Sequence, residues 1–71
     1  MSWNYRVVRH EDKGQEWLAI HEVYYAEGCE TPKYIIKDPI QLGEETVAKL
    51  AFTLHLMLRA TEKPVLQYKD F

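Results

Sequence analysis

After Gly43 the hydrophobic period of this chain changes, and that change constrains most of what it can fold into. Upstream, "WNYRVVR" (3–9) sets Trp3, Tyr5 and Val7 against Asn4, Arg6 and Val8, the alternation of a strand with one buried face. "HEDKG" (10–14) is charged and ends in glycine, which predicts a hairpin turn. "EWLAIHEVYYA" (16–26), dense in β-branched and aromatic residues, predicts a second strand. "EGCETP" (27–32) breaks it with Gly28 and Pro32, and "KYIIK" (33–37) follows as a short third strand. Downstream, Val47, Leu50, Ala51, Leu54, Leu58 and Thr61 recur three or four apart, so residues ~44–62 predict an amphipathic helix. Glu44 and Glu45 at its start, and Arg59 and Lys63 near its end, complement the helix dipole. Gly43 and Thr46 compete as N-cap, and Lys63-Pro64 stops the helix. "VLQY" (65–68) resumes an extended pattern. The expected fold is α+β in one domain, residues 1–71. It is a three-stranded antiparallel sheet (β-β-β-α, with an optional short C-terminal strand) and one helix packed across one face.

Size makes this fold hard to stabilise alone. Ordering costs roughly 1.5 kcal/mol per residue, which leaves a chain of 71 residues almost no surplus from apolar burial. The single Cys29 excludes an internal disulfide, and no set of Cys and His has zinc-finger spacing. Efficient packing or a second chain must make up the difference. Disorder is not the answer, because apolar residues form 46% of the sequence and aromatics 13%. A net charge of −2 gives no electrostatic case for nucleic acid or an anionic membrane. No stretch approaches the ~20 apolar residues of a membrane span. "MSWNYRVVRHEDK" has no apolar leader core, Ser2 rules out myristoylation, and a lone cysteine suits a reducing compartment; the expected location is the cytoplasm.

The apolar residues are too many for one helix and one thin sheet. Val47, Leu50, Ala51, Leu54, Met57 and Leu58 form a single helical stripe, expected to face the sheet. Phe52 and Leu56 lie on the far side, flanked by Lys49, Thr53 and Arg59. Their i,i+4 contact stabilises a helix by only ~0.2–0.5 kcal/mol, so a cover is expected: either residues Val65 to Phe71 or another chain. In the second strand Trp17, Ala19, His21, Val23 and Tyr25 point one way, and Leu18, Ile20, Glu22 and Tyr24 the other. Both sets are largely apolar, yet one helix covers one side. Either a bulge at His21-Glu22 swaps faces, or the second face meets another chain. The expected contact surface comprises Phe52, Leu56, Lys49, Arg59, Tyr24, Tyr25 and Phe71, and the expected role is a non-enzymatic interaction module that self-associates as a homodimer.

Catalytic and metal chemistry find little support. "IHEVYY" (20–25) begins like the His-Glu-x-x-His zinc motif, but Tyr25 stands at the fifth position and a strand sends His21 and Glu22 to opposite faces. His21 is expected to be a hydrogen-bonded, half-buried histidine. His10, Glu11 and Asp12 read as turn residues, His55 as a helix-boundary residue and Cys29 as an unreactive loop thiol. No catalytic residue, cofactor or metal ligand is expected. Trp3, Tyr5, Tyr24, Tyr25 and Tyr34, with Arg6, Arg9, Lys33 and Lys37 on the same strands, offer an alternative: stacking single-stranded nucleic acid. The split of these rings between two faces and the negative charge weigh against it.

"WNYRVV", "IHEVYY" and "KPVLQY" together resemble a family of short bacterial proteins of unassigned function, over most of the chain. These are structural segments, and the resemblance implies no site residue. The order hairpin, strand, then a helix opened by "GEET" (43–46) is also similar to HicB-type antitoxin domains, although Val47 and Ala48 replace the acidic residues that tend to follow there. That similarity implies a small partner-binding regulator as a second alternative.

Overall fold

A computed structural model describes residues 2–71. The elements run β1 (Ser2–Asp12), β2 (Gln15–Tyr25), β3 (Pro32–Ile35), α1 (Val47–Ala60) and β4 (Leu66–Gln67), followed by a 3-10 turn at Tyr68–Asp70. The sheet order is β3-β2-β1-β4, with β1 antiparallel to β2, β2 antiparallel to β3, and β4 parallel to β1. The fold is α+β as expected, but the sheet is mixed and has four strands rather than three.

The hairpin is tighter than its charge pattern predicts. Asp12 pairs with Gln15, so only Lys13 and Gly14 form the loop, with φ of 51° and 80°. Two left-handed residues match the right-handed twist of the flanking strands. His10, Glu11 and Asp12 therefore belong to β1 and not to the turn. A second left-handed glycine, Gly28 at φ 76°, lets the Cys29 N–H donate to the Ala26 carbonyl at 3.0 Å and ends β2.

Thr46, not Gly43, caps α1: its backbone is extended and its hydroxyl accepts the Lys49 N–H at 3.1 Å. The helix thus starts after Glu44 and Glu45. Glu45 pairs with Lys49 at 3.4 Å, and the Glu44 carboxylate accepts the Thr53 hydroxyl at 2.9 Å. At the other end the Thr61 hydroxyl donates to the Leu58 carbonyl at 2.6 Å, ahead of Pro64.

Both sheet faces are engaged by the same chain. Odd residues of β1 turn towards the helix, where Trp3 and Tyr5 adjoin Leu56, Arg59 and Ala60. Even residues turn the other way, and Val8 joins Val23, Tyr25 and Ile35 in a core covered by Leu66 and Tyr68. Completely burying Val8 and Val23 stabilises the fold by roughly 1.5–3 kcal/mol each. The β1–β2 ladder runs unbroken from Ser2–Tyr25 to Asp12–Gln15, so no bulge swaps faces at His21-Glu22; the one irregularity, against β3, lies at Tyr24/Tyr25. Beyond β3, the Ile36 and Ile40 N–H groups donate to the Glu22 and Ile20 carbonyls and hold the chain along β2.

Candidate functional site

The helix presents a different face to the sheet from the one its apolar stripe predicts. Thr53, Met57 and Ala60 are buried and Leu50 and Leu56 half-buried. Val47 is 83% exposed, Leu58 63% and Leu54 46%, and Ala51 is exposed beside them. At about 100° per residue, the buried arc is rotated roughly a quarter turn from the stripe. The reason lies on β1. Trp3 and Tyr5 are bulky, and Ala60, which adjoins them, is small enough to let the end of the helix approach. Glu44 satisfies the Thr53 hydroxyl, so turning a threonine inward leaves no unpaired group.

Phe52 and Leu56, expected as one ridge, are separated by this rotation. Phe52 stays 64% exposed, whereas Leu56 lines a groove with Trp3, Tyr5, Arg59 and Lys63. Residues Val65 to Phe71 do not fold over either: Leu66 and Gln67 pair with the edge of β1, and Tyr68 packs against the core on the opposite face. Lys49 is engaged with Glu45, and Arg59 lies beside Trp3. Phe71 is partly exposed and adjoins Lys33, Ile35 and Tyr68.

The two tyrosines of β2 part company. Tyr25 is buried, accepts from Arg6 at 3.0 Å and donates to the Asn4 side-chain oxygen at 2.9 Å. It is a core residue, where the expectation had placed it on an exposed contact surface. Tyr24 lies half-buried on the helix side, stacked on Tyr34 with ring centres 5.0 Å apart and 6.4 Å from Trp3. Burial, then the nearby Glu22 carboxylate, hold the Tyr5 and Tyr24 hydroxyls above the ordinary tyrosine range. The aromatic row is thus accompanied by negative charge, the wrong sign for a phosphate backbone.

Sequence reasoning missed a polar line inside the other face. Arg6, His10 and His21 are all buried there, and His21 has no exposed surface at all. The His10 and His21 Nε2 atoms are 2.7 Å apart, and the His10 ring also lies 4.4 Å from that of Tyr68 and 5.1 Å from that of Trp17. The signal was Lys13-Gly14: read as a two-residue loop, it puts His10 across from Trp17, on the face His21 occupies.

Among the described residues no group of three or more His, Cys, Asp or Glu could hold a metal ion, and no helix is long and apolar enough to cross a membrane. The chain matches no protein-family model, no curated protein and no solved structure.

Proposed function

We propose that this chain is a non-enzymatic interaction module of the cytoplasm that works as a homodimer, the second copy packing on the stripe Val47, Ala51, Leu54 and Leu58. The observation that carries this reading is surface area. The protomer exposes 5540 Å², whereas compact monomers of 8.4 kDa expose about 4,600 Å². The surplus of about 900 Å² is close to the ~800 Å² that each partner contributes to a standard interface. The stripe supplies a suitable seam. Its members are spaced four, three and four, the pattern of interlocking helices, and two copies related by a twofold axis present the same knobs to each other. Removing Val47, Leu54 and Leu58 from water supports association by roughly 1–2 kcal/mol each.

Sedimentation equilibrium tests the proposal. The wild type is expected at twice the 8.4 kDa protomer mass at micromolar concentration. Leu54→Asp with Leu58→Lys is expected to give a monomer with an unchanged circular dichroism spectrum, since both side chains are exposed within the protomer. A wild type that stays monomeric at 100-fold higher concentration ends this reading.

One observation favours a second reading. Trp3, Tyr24 and Tyr34 form a continuous, partly exposed row, with Arg59 and Lys63 beside Trp3. Single-stranded nucleic acid stacked there would quench Trp3 fluorescence in a Trp17→Phe variant, more strongly at low salt. The antitoxin-like alternative would instead appear as a stoichiometric complex with a different protein.

A further inference from the structure

Arg6 is buried without a counterion. Only 8% of it is exposed, and among the described residues no carboxylate lies within ion-pair distance of it. Its guanidinium donates through Nη1 to the Tyr25 hydroxyl at 3.0 Å and through Nη2 to the Pro64 carbonyl at 2.7 Å. Both acceptors are neutral, and Nε, shut away from solvent, has no partner. A buried charge in a folded protein is ordinarily paired, because leaving its field uncompensated is costly. Besides the sealed Nε–H, one N–H on each of Nη1 and Nη2 remains uncommitted.

Next to Arg6 is an open cleft of about 350 Å³ at the start of β1, lined also by Ser2, Asn4, Tyr25, Glu30 and Lys63. The Tyr25 hydroxyl spends its proton on the Asn4 oxygen, so Asn4 has its amide NH2 left to offer. Trp3 and Cys29 complete the lining, and the two cations, Arg6 and Lys63, outnumber the one carboxylate, Glu30.

We propose that this cleft binds a small oxyanion, a carboxylate or a phosphate, between the Arg6 guanidinium and the Lys63 ammonium. Arg6 is held by two hydrogen bonds before any ligand arrives, so little side-chain freedom is lost on binding. Lys63 closes from the exposed side, after the end of α1. Glu30 opposes the ligand and limits its affinity. The site does not depend on the helix stripe, and the Leu54→Asp/Leu58→Lys protein is expected to bind equally well.

The test is a titration with sodium phosphate and sodium acetate, each against sodium chloride at equal ionic strength, followed by thermal shift and by the Arg6 Nε–Hε resonance. Phosphate or acetate is expected to raise the melting temperature saturably beyond chloride and to move the Arg6 signal. A response to phosphate alone assigns a phosphate ligand, and a response to acetate assigns a carboxylate. Lys63→Met, at an exposed position, is expected to weaken binding roughly fivefold, and Glu30→Gln to tighten it by a similar factor. No effect beyond chloride, or equal affinities in wild type and both variants, overturns the proposal.

Discussion

His10 and His21 share one hydrogen bond, and its direction can be assigned. The His21 Nδ1 atom lies 2.7 Å from the Ile36 carbonyl, which can only accept, so Nδ1 carries the proton. The His21 Nε2 lone pair then accepts the His10 Nε2–H. Burial, and secondarily the neighbouring His21, push the His10 pKa below the usual imidazole range. In the unfolded chain His10 takes a proton near pH 6.5; in the folded protein it does so only at lower pH. Its contribution to stability is therefore complete above about pH 6.5 and drains away as pH falls through the folded pKa. Calorimetric melts should hold level from pH 8 to 7 and decline below about 6.5. His10→Gln, which keeps a donor for His21 but does not titrate, should flatten that decline; an identical slope in the variant would contradict this account. At this scale the sequence was half legible. Alternation placed His21 on a face shared with Val23 and Tyr25, as found, but the charged neighbours of His10 disguised a strand residue as part of a turn.

The helix shows what periodicity can and cannot settle about an element. Its existence and end were readable from Val47 to Leu58 and from Pro64, and Thr46 was one of two foreseen caps. Thr46→Ala removes the acceptor for the Lys49 N–H, and urea unfolding is expected to show a loss of ~1 kcal/mol. A loss near zero would mean that water serves that donor equally well. The orientation of the helix was not readable, because an apolar stripe says which face avoids water, not which surface covers it. Here the bulk of Trp3 and Tyr5 favours a small inward residue at Ala60, and that preference depends on a strand some fifty positions away. The last strand was foreseen as an extended stretch over 65–68, but not its parallel pairing with β1. Only Leu66 and Gln67 pair with Val8 and Arg9, and two residues carry no period. Gln67 adds a 3.5 Å side-chain contact to Arg9, which also pairs with Glu16.

As a whole the protomer is a plate, 37 × 33 × 20 Å, with a radius of gyration of 12.9 Å against about 11 Å for a compact chain of this length. Large apolar side chains are left exposed, at positions other than those expected. The second sheet face, thought to need a partner, is covered by Leu66 and Tyr68, while four members of the stripe assigned to the core, Val47, Ala51, Leu54 and Leu58, are left open and only its Leu50 and Met57 turn inward. If that stripe joins two copies, unfolding is linked to dissociation and stability follows protein concentration. Each tenfold increase is expected to add about 1.4 kcal/mol, visible as a rising melting midpoint, whereas the Leu54→Asp/Leu58→Lys protein should melt at one temperature throughout. A midpoint independent of concentration in the wild type would exclude obligate pairing. The cover on that second face has a consequence for biosynthesis. Its β1 and β2 residues leave the ribosome early, but the lid they require is encoded by residues 66–71. Until Tyr68 has been made and has cleared the ribosome, the hairpin lacks the native cover of Val8 and Val23.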